Sequence, residues 1–232
     1  INKSIYNDTY RPGSIFKLVQ ALIGMEEGVI QHNTPFACNK ALIGCHNHPS
    51  PTNVSIAIQH SCNPYFYQVY KKLIQRGEDE SSIFKDSRLG IEKWVGAVQS
   101  FGLGVKLGTD IPGVKTGRVP DAEFYDNEID RGNGVYGYGK HSWAFSTIYS
   151  NSIGEGEIGV SPLQMANLAA ILANRGYYYT PHLVRKIGED GEKREAFKQK
   201  NYTVVSAEHF EPVVNAMEQV VMNGTARRAQ IE

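Results

Sequence analysis

The sequence predicts a mainly α-helical chain organised around one enclosed helix, and three stretches carry that expectation. Ile15, Phe16, Leu18, Val19, Leu22, Ile23 and Met25 leave the first helical run almost no polar face, the pattern of a helix surrounded by protein. Leu89, Trp94, Val95, Val98 and Phe101 recur at helical spacing before Gly102. Ser161-Pro162-Leu163-Gln164 combines a capping box with proline at the first helical position. Strand signals are few by comparison.

Taken in order, residues 1–13 carry Asn, Asp, Gly and Pro and form a lead-in loop. Pro12 and Gly13 punctuate the backbone, and the helix that follows runs to Gly28, a helix stop. Residues 29–53 are irregular, with Pro35, Gly44, Pro49 and Pro51. Ser55 to His60 is a short helical run. Asn63 near an N-cap and Pro64 in the first turn start a helix reaching about Gln75. Glu78 to Ser87 is polar and is expected to be a surface connection. Leu89 to Phe101 is an amphipathic helix with Trp94 and Phe101 in the core.

From Gly102 to Asn151 no period is visible. Gly132-Asn133-Gly134-Val135-Tyr136-Gly137 fits G-x-G-x-x-G, but no apolar strand precedes it and no apolar helix follows, so it does not read as a dinucleotide site. The helix opened by Ser161 extends to Gly176. Tyr177-Tyr178-Tyr179 suits packing better than a ligand platform. His182 to Ile187 and Tyr202 to Val205 are expected to pair as a hairpin around Asp190-Gly191. A last helix spans Ser206 to Met222, closed by Asn223-Gly224. There is no internal repeat.

With 232 residues, 41% of them hydrophobic, the chain can bury one sizeable core. Lys plus Arg and Asp plus Glu both total 24, so no net field favours nucleic acid or an anionic membrane surface. No run of 18 apolar residues and no signal peptide is present. The first residue is Ile1, and a fragment is expected.

Chemistry first shows at Ser14 and Lys17, three residues apart and so on one helix face. A serine hydroxyl becomes a nucleophile when a neighbouring base takes its proton, and a desolvated lysine can be that base. Alone, S-x-x-K equally describes a capping serine and a snorkelling lysine. Ser61-Cys62-Asn63 follows 47 residues after Ser14 and changes the balance. Together these motifs resemble the penicillin-binding proteins and serine β-lactamases. Tyr10-Arg11-Pro12-Gly13-Ser14 and Ser161-Pro162-Leu163-Gln164-Met165-Ala166-Asn167 are similar to segments of the class B penicillin-binding proteins. Cys62-Asn63-Pro64-Tyr65-Phe66-Tyr67-Gln68 resembles the elongation type, penicillin-binding protein 2.

That resemblance implies the helical part of the α/β penicillin-binding transpeptidase (β-lactamase-like) fold, with most of the antiparallel sheet outside residues 1–232. The chain would be a partial transpeptidase domain truncated at both ends. The implied function is D,D-transpeptidation: acyl transfer from D-Ala-D-Ala stem peptides through a serine acyl-enzyme, cross-linking peptidoglycan, with β-lactams as inhibitors. Ser14 is then the nucleophile, Lys17 its base, Ser61 a proton relay and Asn63 a hydrogen-bonding partner of the substrate backbone. Ser14's own amide supplies half of an oxyanion hole. No cofactor is implied for catalysis. Implied partners are peptidoglycan stem peptides, β-lactam antibiotics and a membrane glycan polymerase of the elongation machinery. The implied location is the periplasmic face of the bacterial inner membrane, through an N-terminal anchor outside this sequence. A serine β-lactamase, or a penicillin-recognising scaffold without chemistry, are the alternatives.

Two features stand apart. Lys115-Thr116-Gly117 spells the family's third motif, but it precedes the Ser161 segment and lies between Gly113 and Pro120, so a surface loop is expected there. The family's triplet is expected after Asn223-Gly224, outside the sequence, leaving the fragment itself inactive. Cys38, Cys45, His48 and Cys62 supply a Cys3His set that suits a structural, tetrahedral zinc, pinning the 29–53 loop to the Ser61–Asn63 turn. Some elongation-type relatives carry a metal there on carboxylates, a histidine and the motif's cysteine. A disulfide plus one free thiol is the other reading.

Overall fold

A computed structural model describes residues 7–131, 143–186, 188, 191 and 195–231. The G-x-G-x-x-G run at 132–137, Ile187 and Asp190 lie outside the described residues. Helix α1 (Phe16–Glu26) follows a 3-10 turn at Gly13–Ile15. All its residues from Phe16 to Met25 are buried, as the missing polar face requires. It packs against α3 (Asn63–Ile74), α4 (Ile83–Gln99) and α8 (Phe210–Met222), while the short α2 (Val54–Gln59) lies along α8. Edge-to-face rings join the layers: Phe16 meets Trp94 at 5.9 Å and Trp94 meets Tyr70 at 5.0 Å.

The expected helices are present, with four corrections. First, α4 begins at Ile83, inside the stretch read as a surface connection, with Ser82 as N-cap. Asp86 and Ser87 are buried there; Asp86 accepts the backbone N–H groups of Gly77, Glu78 and Asp79, and Ser87 donates to Ile83 O. A polar sequence marks an interior position when its polar atoms have such partners. Second, the N-cap of α3 is Cys62, and Asn63 turns its side chain elsewhere. Third, α5 (Ala122–Arg131) and the one-turn α6 (Phe145–Ile148) occupy the stretch without a period. Fourth, the tyrosine triplet is itself strand β1 (Tyr177–Tyr179), antiparallel to β2 (Lys200–Tyr202), and 182–186 is not strand. Strand-forming tyrosines pair across the ladder, Tyr177 facing Tyr202, with Lys200 over the Tyr177 ring.

Helix α7 (Pro162–Ala173) carries the expected capping box, Gln164 N–H to Ser161 Oγ and Ser161 N–H to Gln164 Oε1. Gln164 is fully buried, and its Nε2 reaches the carbonyls of Gly102, Val105 and Thr116. Just before α7, Val160 bridges Tyr10 and Gly159 bridges Arg118. Those pairings tie the lead-in to Ser14 onto the segment ahead of α7. Among the described residues no helix is long and apolar enough to cross a membrane.

Candidate active site

Ser14 is exposed and Lys17 is buried, one turn apart at the N-terminus of α1. Ser14 falls in the first turn, where backbone N–H groups have no intrahelical acceptor and the helix end is partly positive. The second motif arrives from the α2–α3 turn. Helix α2 ends in a Schellman motif, Cys62 N–H donating to Ala57 O and Ser61 N–H to Ile58 O, both at 2.9 Å. Ser61 takes the left-handed position of that motif, φ +48°, where glycine is the unstrained choice. The chain places there a residue whose side chain it then uses.

Lys17 Nζ lies 3.1 Å from Ser14 Oγ, 2.8 Å from Ser61 Oγ, 2.8 Å from Ser61 O and 2.5 Å from Asn63 Oδ1. Ser61 Oγ donates to Ser14 Oγ at 3.0 Å. All four candidate residues therefore meet around one ammonium group. Burial lowers the Lys17 pKa to about 8. A neutral amine, present in about one molecule in ten at pH 7 on that value, has a lone pair for the Ser14 proton. A cavity of about 300 Å³ opens over the cluster, lined by Ser14, Lys17 and Ser61 with Ile58, Met217 and Val220. The last two come from α8, whose apolar face the sequence shows, though nothing in its spacing says that it borders Ser14.

Lys115-Thr116-Gly117 is not brought to this cluster. Lys115 is exposed and borders a separate cavity with Thr9, Arg118 and Gly159.

The cysteine loop does meet the second motif. Among the described residues, the ligand atoms of Cys38, Cys45, His48 and Cys62 all lie within 4.8 Å of one another. His48 Nε2 is 3.5 Å from Cys38 Sγ and 3.3 Å from Cys45 Sγ. Tetrahedral zinc with ordinary bond lengths sets donor atoms roughly 3.5–3.8 Å apart; the two His48 contacts are close to that spacing, and the whole set lies within about 1 Å of it. His48 Nδ1 donates to Pro49 O at 2.7 Å, which leaves Nε2 bare toward the thiols. No disulfide joins the three cysteines. His60, which spacing gave no reason to single out, stacks on His48 at 5.2 Å. Asn63 is clasped by the same loop: its N–H points at Cys45 Sγ, 3.4 Å away, and its Nδ2 donates to Gly44 O at 2.7 Å.

Comparisons with known proteins point to one family. The family described as "Penicillin binding protein transpeptidase domain" matches residues 1–232. Stage V sporulation protein D of Bacillus subtilis is 26% identical over 251 residues, covering 100% of this chain and 33% of that protein. Peptidoglycan D,D-transpeptidase MrdA of Acinetobacter baumannii is 27% identical over 199 residues, covering 80% of this chain and 26% of that protein. The crystal structure of Pseudomonas aeruginosa PBP2 in complex with WCK 5153 matches with a TM-score of 0.71 at 23% identity, over 98% of this chain and 48% of that one. The chain thus spans about a third or less of the length of the curated relatives named here.

Proposed function

The chain belongs to the transpeptidase family of penicillin-binding proteins, class B and elongation type, and on that footing we propose that residues 1–232 form part of a D,D-transpeptidase domain that cross-links peptidoglycan through an acyl-enzyme on Ser14. One observation carries the reading: a single buried amine, Lys17 Nζ, touches Ser14 Oγ, Ser61 Oγ and Asn63 Oδ1.

Ser14 Oγ attacks the carbonyl carbon between the two D-alanines while its proton passes to neutral Lys17 Nζ. The oxyanion forms beside the Ser14 amide at the start of α1. As the C–N bond breaks, Ser61 Oγ–H protonates the leaving nitrogen and Lys17 restores that proton. The amine of a second stem peptide then attacks the ester, giving its proton up along the same path. Asn63, with its Nδ2 on Gly44 O, presents the amide that orients the substrate backbone. A β-lactam acylates the same serine. The partners are stem peptides, β-lactams and a membrane glycan polymerase of the elongation machinery, at the periplasmic face of the inner membrane.

Cys38, Cys45, His48 and Cys62 would hold a structural zinc that ties the 29–53 loop to the second motif. The donor spacing and the His48–Pro49 bond support this. Burial pushes the Cys62 thiol up to about 12, a proton that a divalent cation displaces on binding.

The test is D-alanine release and cross-linked product from a pentapeptide donor and an amine acceptor, using the full-length protein. Ser14→Ala should abolish both and Lys17→Ala should slow them by orders of magnitude. Rapid hydrolysis of penicillin without product from the peptide would instead mark a β-lactamase.

A further inference from the structure

Gly154 and Gly13 meet backbone to backbone. Gly13 N–H donates to Gly154 O at 2.9 Å, and both glycines are left-handed, φ +57° and +74°. A Cβ on Gly154 would stand 2.1 Å from Gly13 O and 2.7 Å from Phe16 Cβ. Ser14 and Ile15 lie between those two contacts. The turn that presents Gly154 is anchored in the core. Its N–H donates to Asn151 O at 3.1 Å, and Glu155 N–H donates to Ser150 O at 3.2 Å. Asn151 is fully buried and its Nδ2 donates to Tyr125 OH at 2.7 Å, which donates onward to Glu157 at 2.9 Å. On the other side Gln20, from α1 itself, reaches Asn151 O at 3.4 Å and accepts from Trp94 Nε1 at 2.9 Å.

We propose that Gly154 is a positioning residue for Ser14: the Asn151–Gly154 turn fixes Gly13 in its left-handed conformation and so sets where Ser14 Oγ stands relative to Lys17 and Ser61. Neither glycine carries chemistry, and Gly154 is 140 residues from Ser14 in sequence. Only a bare backbone lets the two chains approach this closely. Lys17 lies beyond the contact, deeper in α1, and keeps Ser61 and Asn63 as partners. A shift at Gly13 therefore displaces the nucleophile while leaving its base in place, and a displacement of about 1 Å is enough to lower a rate by 10²-fold. The Arg11–Glu155 ion pair beside the turn, 3.7 Å long with both side chains largely solvated, contributes little.

The proposal rests on Ser14 being the acylated serine, and the experiment separates the two. In the full-length protein, benzylpenicillin acylation is followed to saturation across pH 6–10 for wild type, Ser14→Ala, Gly154→Ala, Tyr125→Phe and Glu155→Gln. Gly154→Ala should lower the limiting acylation rate roughly 30-fold to 100-fold, with the half-saturating concentration and the pH midpoint unchanged. Tyr125→Phe, which loosens the support of Asn151 by one hydroxyl, should lower it about threefold to tenfold. Glu155→Gln should stay within about twofold. Wild-type acylation by Gly154→Ala overturns the proposal, as does a fall in rate matched by a shifted pH midpoint. Should Gly154→Ala not fold, wild-type acylation by Tyr125→Phe overturns it. Label that persists in Ser14→Ala removes the nucleophile assignment, and the proposal falls with it.

Discussion

Ser61 is the residue where structure and chemistry pull apart. It fills the left-handed position of a Schellman motif, φ +48°, at a penalty of about 1–2 kcal/mol relative to glycine. Ser61→Ala and Ser61→Gly both delete the hydroxyl, but only alanine keeps the strain. Ser61→Gly should therefore be the more stable by about 1 kcal/mol in denaturant unfolding, the reverse of the ordinary helix ranking, while both slow acylation. Equal stabilities would mean that the turn is not strained. Lys17 gives the second expectation at this scale. Burial holds it near 8, against a usual 10.5, and in the proposed mechanism its neutral amine accepts the Ser14 proton. The acylation rate should climb as pH rises through about 8 and level off above. The sign for stability follows from the same values: the unfolded chain binds the extra proton between about 8 and 10.5, so this lysine destabilises the fold below pH 8 and ceases to do so toward 10.5. A flat rate profile from pH 6 to 10 would exclude Lys17 as the base.

At the level of elements, what the sequence made legible was what local chemistry decides. Ser161, Pro162 and Gln164 carry their own capping partners, so α7 begins where spacing places it. The apolar circumference of α1 names the central helix without any knowledge of its neighbours. What failed depended on partners distant in the chain. The start of α4 was hidden because Asp86 and Ser87 look like surface residues until the turn at 77–79 folds over Asp86. Helix α5 was hidden because few of its residues are apolar, and its opening signal is a single hydrogen bond from Phe124 N–H to Asp121 Oδ1 at 2.7 Å. The expected hairpin was misplaced because three adjacent tyrosines show no alternation, although one of them, Tyr178, is buried. Asp86 offers the test. Asp86→Ala leaves three backbone N–H groups without their acceptor and should destabilise the protein by about 2–3 kcal/mol, with Asp79→Ala on the adjacent surface near neutral. A loss under about 0.5 kcal/mol would show that water replaces the carboxylate.

For the whole molecule, two loops far apart in sequence support the two sides of one site. The 29–53 loop clasps Asn63 through Cys45 and Gly44, and the turn at 150–156 backs Gly13. Candidate residues were legible because their types and spacing are unusual; the supports were not, since glycines and buried asparagines look ordinary until packed. Elemental analysis of the full-length protein should find about one zinc per chain, and Cys45→Ala should lose it together with several degrees of melting temperature. Metal-free protein with a Cys38–Cys45 disulfide by mass would contradict that assignment. The central claim is that Ser14, activated by Lys17, takes the acyl group. Its most direct measurement is peptide mapping by mass spectrometry after brief reaction of the full-length protein with benzylpenicillin. One penicilloyl adduct is expected, on the peptide containing Ser14, absent in Ser14→Ala and sharply reduced in Lys17→Ala. An adduct on any other residue, or one that survives Ser14→Ala, would contradict it.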